Sequence, residues 1–378
     1  MHVASSHSYS VSPIQFRDIG MVVARTPWWT LAWPAGAWLI LLLTYFVGGG
    51  PIAAAAGIAL LGTVFAAVYH AEVVAHRVGE PFGTLVLALA VTVIETALIV
   101  SVMIAAPAEK TGLARDTVFA AVMIVCNGIV GLCLLMGGVR HHEQGFQVQG
   151  ASAALAVLTA LTSLALILPS YAASALGPLY STAQLVFAGI VSLVLYGSFV
   201  LIQTVRHRDY FLPIQGDDEE AHAPPPTGRT AVLSVGLLLV SLVAIVGLAK
   251  VLTPTVEFAV ARLDVPKAVV GIIIAALVLL PESLAAVRAA LGNRLQTSLN
   301  LALGSALATI GLTIPAVAVV SIMLQQPLEL GLDAKDQVLL AVTLLLGMTT
   351  LGTGRTTVLQ GIVHLVIFAV FLFFAVVP

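Results

Sequence analysis

The feature that most constrains this chain is a succession of long apolar runs, rich in Leu, Val, Ala and Gly and separated by short polar or Gly/Pro segments. Each run can cover the hydrocarbon thickness of a bilayer as a helix of roughly 20 residues. About eleven can be marked off, near 29–48, 52–70, 83–106, 115–138, 150–169, 179–205, 230–252, 266–291, 295–324, 336–351 and 356–377. The strands of a membrane barrel would alternate in polarity with a period of two, and these runs do not. With 60% hydrophobic and only 9% charged residues, 378 residues also have too little polar surface to cover a soluble globule. The expectation is an all-α polytopic membrane protein of about 11 transmembrane helices.

A formal net charge of -2 offers no basic surface for nucleic acid, and no aromatic and basic interleaving of the kind single-strand binders use is present. The first apolar run is too long for a signal-peptide core and lacks a clear cleavage site, so it reads as a retained span. Cys126 and Cys133, seven apart in one run, would lie about 10 Å apart on a helix, too far for a disulfide.

Polar punctuation divides the chain into an N-terminal cytoplasmic segment (1–28), an extra first helix (29–50), a first five-helix block (51–205), a linker (206–229) and a second five-helix block (230–378). The linker carries Asp217, Asp218, Glu219 and Glu220, then Pro224, Pro225 and Pro226. With the N-terminus in the cytoplasm, ten of the 16 Lys and Arg residues, Arg77, Arg140 and Arg206 among them, fall in loops on that side and six on the other. That bias places the linker in the cytoplasm and the C-terminus outside.

An internal repeat is legible. Glu72, Arg77 and Pro81 precede Glu95, and Glu257, Arg262 and Pro266 precede Glu282, with the last interval longer by two. Each trio stands just before a run with a central glutamate. The two runs are five apart in order, so they cross the bilayer in opposite directions. Two inverted five-helix repeats are the architecture of many secondary transporters, whose ion sites lie near the midplane where the repeats meet.

Glu95 and Glu282 are the acids deepest inside expected spans. An ionised acid there costs at least about 2.5 to 3.5 kcal/mol on insertion scales, so each is a candidate ion- and proton-binding group. The competing reading is a structural acid, with Arg288 as a partner for Glu282. Pro281, which lacks a backbone donor, is expected to disrupt the helix beside Glu282 and free carbonyl oxygens for a hard cation. Asn127, Asn300, Ser305 and Thr309 can add neutral oxygen ligands, although Ser and Thr in spans also bond their own helix or its neighbours. Glu72 and Glu257, at span ends, are candidate access-path acids.

Other chemistries lack their motifs. His70, Glu72 and His76 do not have the spacing of a helical zinc-protease motif. Ser305 lacks the frame of a serine nucleophile, and no phosphate-cradling glycine loop occurs. No enzyme activity and no cofactor are expected. The acidic run at Asp217–Glu220 reads as a solvated linker or a cation-gathering mouth.

Longer segments carry a resemblance. Tyr69 to Gly83 (YHAEVVAHRVGEPFG) running into Val91–Glu95 (VTVIE), Leu280–Leu284 (LPESL), Asn300–Leu307 (NLALGSAL) and Thr353–His364 (TGRTTVLQGIVH) are similar to the bacterial ChaA-type antiporters of the calcium/cation exchanger superfamily. The resemblance implies proton-driven export of calcium, sodium or potassium by two inverted repeats, with Glu95 and Glu282 as the repeat glutamates at the ion site. The wider calcium/proton exchangers place a Gly-Asn pair before that glutamate, where this chain has Val91-Thr92 and Val278-Leu279. The implied ligand set is therefore poorer in side-chain amides. The expected function is secondary active cation/proton antiport in a lipid bilayer, and the runner-up is a passive cation pore using the same acids.

Overall fold

A computed structural model describes residues 26–44, 46, 50–79, 82–105, 111–174, 177–212, 226–262, 266 and 268–377. Eleven long helices run through these residues. They are α1 (Trp28–Leu43), α2 (Gly50–Val78), α3 (Phe82–Ala105), α4 (Leu113–His141), α5 (Val148–Tyr171) and α6 (Thr182–Arg206), then α7 (Gly228–Arg262), α8 (Ala268–Leu291), α9 (Leu295–Leu324), α10 (Ala334–Leu351) and α11 (Val358–Val376). Among the described residues nine of them are long and apolar enough to cross a membrane. Large apolar side chains such as Leu39, Phe187, Val194, Leu345 and Phe373 point outward, a surface suited to lipid and far too apolar for water. The acidic run Asp217–Glu220 lies outside the described residues, as does the side chain of Glu257.

Helix bounds follow the apolar runs except where the hydrogen-bond ladder continues past them. The run expected to end at 70 continues to Val78, and the one expected to end at 252 continues to Arg262. Hydropathy marks where lipid ends, whereas a helix keeps bonding its backbone into the interface. Glu72 and Glu257 consequently lie on helical backbone. Contrary to the sequence expectation, Pro281 does not break its helix: α8 is continuous from Ala268 to Leu291 with Pro281 inside it. The missing donor frees one carbonyl a turn earlier, at Leu277, rather than unwinding the chain at Glu282.

The helices pack as two interlocked halves. α3 of the first half packs on α9 of the second, as α8 of the second packs on α4 of the first. Likewise α6 packs on α9 and α11 packs on α4, while α2 and α7 face each other along their length. Exchanging α2–α6 with α7–α11 reproduces these contacts, as expected of inverted repeats. Of the nine long apolar helices, α4 and α9 are the most buried and α6 and α11 the least.

Helix α1 lies outside this exchange and brackets α2 and α7. Its Trp33 ring rests where a Cβ on Gly62 would stand, so glycine there lets the two helices meet. On the other side of the pair α4/α11, a Cβ on Gly361 would come within 2.4 Å of the Leu135 backbone nitrogen. These close approaches depend on the absence of a side chain, a common device between helices in lipid. A two-residue antiparallel ladder, β1 (Gln144–Gly145) with β2 (Arg355–Thr356), ties the α4–α5 loop to the α10–α11 loop.

Candidate functional site: a carboxylate pair bridged by one helix

Helices α3 and α8 bring Glu95 and Glu282 to opposite ends of a short hydroxyl stripe on α9. Ser305 donates to Glu282 Oε2 at 2.5 Å, and Thr309, one turn further along, donates to Glu95 Oε2 at 2.6 Å. Thr313, a second turn on, bonds the neighbouring Thr96 at 3.0 Å. Residues four apart share a helix face and rise about 6 Å, so the two donors hold the carboxylates within about one turn of each other. Thr313 and Thr96 were not among the sequence candidates, although Thr313 stands four residues from Thr309 and Thr96 adjoins Glu95.

Both acids are withdrawn from solvent, with residual exposures of 1% for Glu95 and 7% for Glu282. Glu95 Oε1 is buried and makes no hydrogen bond among the described residues. An orphaned buried carboxylate oxygen is costly unless a proton or a cation takes it. The chemistry of the donor set agrees. Two oxygens from each carboxylate and one from each hydroxyl make six, and because each hydroxyl hydrogen points at a carboxylate, both hydroxyl oxygens keep lone pairs for a cation.

The other sequence candidates are placed elsewhere. Asn127 is fully buried in α4 but bonds Thr343 Oγ1 (2.8 Å) and His364 (3.3 Å) rather than either acid. Asn300 donates to the Phe211 carbonyl at 2.6 Å and accepts from Gln296 at 2.9 Å. It lines a small cavity with Gln203 and Gln296 between α5, α6 and α9. Glu72 is exposed near the end of α2. His70, by contrast, is buried against Ser234 and the Thr30 carbonyl, 3.3 Å from each. Among the described residues no group of three or more His, Cys, Asp or Glu is placed to hold a metal ion. Cys126 and Cys133 are buried free thiols.

The sequence profile of the sodium/calcium exchanger protein family matches residues 50–205 and 233–377, which include both glutamates and the α9 stripe. The chain belongs to this family. Within it, the sodium-potassium/proton antiporter ChaA of Escherichia coli is 36% identical over 318 residues, covering 83% of this chain and 86% of that protein. The Sinorhizobium fredii protein y4hA, named as an ionic transporter, is 53% identical over 322 residues, or 84% of this chain and 87% of its own. Among solved structures, an H+/Ca2+ exchanger CAX superposes with a TM-score of 0.70 over 92% of this chain and 88% of that one. At 16% identity that likeness speaks for the fold. Members of the exchanger family are transporters, and this one is a multi-pass membrane protein with bacterial antiporters among its relatives.

Proposed function

We propose that this cation/proton antiporter binds its cation and its protons in turn at Glu95 and Glu282, with the Ser305 and Thr309 hydroxyls completing the ligand set. The observation that carries the reading is the pair of buried carboxylates bridged by one helix face, one oxygen of which has no partner. Buried carboxylates left charged and empty are unfavourable, so the site crosses the membrane either protonated or cation-filled. Obligatory exchange follows: a cation leaves only when protons replace it on the same oxygens. Rocking of one half of the bundle against the other then opens the site to each side alternately.

The cargo we propose is Na+, K+ or Ca2+, the ions named for the antiporter ChaA and the exchanger CAX. Hydroxyl and carboxylate oxygens suit all three hard cations. We place the N-terminus and the linker in the cytoplasm, Glu72 on the cytoplasmic approach and the C-terminus outside, on the charge bias of the loops. The protein would export its cation from a bacterial cytoplasm through the inner membrane.

The test uses sealed inverted vesicles holding an acid interior and a pH-sensitive dye. Addition of NaCl, KCl or CaCl2, one at a time, should discharge the proton gradient for at least one cation and only in vesicles containing the protein. A passive pore would instead carry the cation along its own gradient with no proton requirement. Cation flux that persists unchanged without proton counterflow would replace antiport with that reading.

A further inference from the structure

A second buried polar cluster joins α4, α10 and α11, outside the carboxylate pair. Asn127, Thr343, His364 and Thr350 are exposed by 0%, 1%, 1% and 3%. Their hydrogens can be assigned from one end to the other. The Thr343 hydroxyl lies 2.8 Å from the Leu339 carbonyl, one turn back on its own helix, and gives its single hydrogen there. Its oxygen is left to accept Asn127 Nδ2 at 2.8 Å. That orientation turns the Asn127 amide oxygen towards His364 Nδ1, 3.3 Å away. Two acceptors cannot bond, so Nδ1 carries a hydrogen. The other ring nitrogen, Nε2, lies 3.2 Å from Thr350 Oγ1, whose hydroxyl can serve it as donor.

Asn127 lies in an irregular part of α4. Residues Ile124–Ile129 form a π turn, in which backbone bonds reach five residues back and one extra residue is accommodated. This turn packs against α8, which carries Glu282, and α9, which carries Ser305 and Thr309, while its opposite side meets α11. There is little slack between α4 and α11: a Cβ on Gly131 would stand 3.0 Å from the His364 Cβ. In the other half a Cβ on Gly311 of α9 would stand 2.7 Å from the Tyr196 Cβ of α6, so at that approach a tyrosine stands where α11 has His364.

We propose that His364 is a positioning residue of the exchange reaction: by gripping the Asn127 amide from α11, it holds the α4 π turn in the register that shapes the floor of the ion site. The inference rests on the antiport reading above. An unpaired Asn127 would let the turn slip towards regular α-helix, which re-aims every side chain it presents to α8 and α9. Loss of His364 therefore weakens cation binding before it affects insertion.

The test measures cation-dependent proton efflux in the same vesicles, with NaCl, KCl and CaCl2 as probes, and compares half-saturating concentration with maximal rate at equal protein content. His364→Leu should raise the half-saturating concentration at least fivefold. His364→Asn, whose amide can present a donor near the Nδ1 position, should recover to within about twofold. In an Asn127→Ala background His364→Leu should add little, because both changes remove the same contact. Thr350→Val, which strips the ring's second partner, gives an independent reading and should shift the same parameter should His364→Leu fail to insert. A His364→Leu protein with wild-type half-saturation, or an effect fully additive with Asn127→Ala, overturns the proposal while leaving antiport intact. Wild-type vesicles that show no cation-driven proton efflux overturn the antiport reading itself.

Discussion

Thr309 of α9 donates to Glu95 of α3 across 214 positions of sequence, a contact that fastens the second half of the chain to the glutamate of the first. Ser305, one turn away, does the same for the glutamate of its own half. One helix face thereby sets the spacing of both carboxylates. The Thr96 to Thr313 bond continues the seam between α3 and α9. A rigid α9 is thus the element against which α3 and α8 are registered, and its enclosure at the centre of the bundle fits that role.

Removal of ionisation from either carboxylate tests the core of this arrangement. Glu95→Gln and Glu282→Gln keep the side-chain volume and an acceptor oxygen but can neither ionise nor carry the exchanged proton. Each should reduce exchange at least a hundredfold, with the protein still inserted and monodisperse in detergent. A purely structural acid would show the reverse pattern, reduced yield with transport retained. Near wild-type exchange by a folded single variant would remove that residue from the mechanism.

The hydroxyl stripe should govern affinity more than turnover. Thr309→Val and Ser305→Ala each delete a donor to a buried carboxylate and a neutral cation ligand. A hydrogen bond to a charged group contributes about 1.5 to 3 kcal/mol, so each change should raise the half-saturating cation concentration roughly tenfold or more. Thr309→Ser, which retains the hydroxyl, should stay close to wild type. Equal effects of Thr309→Val and Thr309→Ser would point to packing rather than to the hydroxyl.

Much of this was legible in the sequence, and the remainder was not for identifiable physical reasons. Glu95 and Glu282 stand out because an acid inside an apolar run has no inexpensive explanation, and Ser305 and Thr309 follow as neutral oxygen ligands in the ninth run. Asn127 and Asn300 carry the same ligand chemistry, yet the partners their amides bond, Thr343 and the Phe211 carbonyl, lie 216 and 89 positions away. The π turn at Ile124–Ile129 leaves no mark in its residues, which are apolar apart from Asn127 and Gly128 and would suit a regular helix equally well. Pro281 misled for a related reason: within a packed bundle the neighbouring turns keep the helix continuous through it.

Packing at the α4–α11 contact gives a prediction about stability alone. Gly361→Ala places a methyl group 2.4 Å from the Leu135 backbone nitrogen, and backbone cannot swing aside as a side chain can. The helices must separate, at a cost of about 1 to 3 kcal/mol, read as a lowered Tm in detergent. Gly236→Ala on α7, where nothing lies within 4 Å of the added atom, should leave Tm unchanged or slightly raised. Similar Tm values for the two variants would contradict the close approach of α4 and α11.

Topology can be checked independently of transport. Five helices separate the linker around Asp217 from the end of α11, so single cysteines placed at Gln215 and Val377 of a variant lacking Cys126 and Cys133 should be labelled from opposite faces of the membrane. The charge bias assigns the first to the cytoplasm. Labelling of both from one face would require an even number of crossings between them, so that the span count over α7–α11 would be wrong by one.

Proton competition fixes the sign of the pH dependence. In the binding-competent state the carboxylates must be free of protons before a cation can take their oxygens, so protons and cations exclude one another. Raising the pH on the side where the cation binds should therefore lower the half-saturating cation concentration. The limiting change is about tenfold per pH unit for each proton displaced, and it should flatten once the site is deprotonated in the absence of cation. Below that range the cation meets a protonated site and apparent affinity falls. In Glu95→Gln or Glu282→Gln, any residual cation binding, measured by isothermal titration at several pH values, should lose one proton's worth of that slope. A wild-type affinity that is independent of pH over three units would mean that the cation and the exchanged proton use separate groups, and the shared-carboxylate mechanism would have to be abandoned.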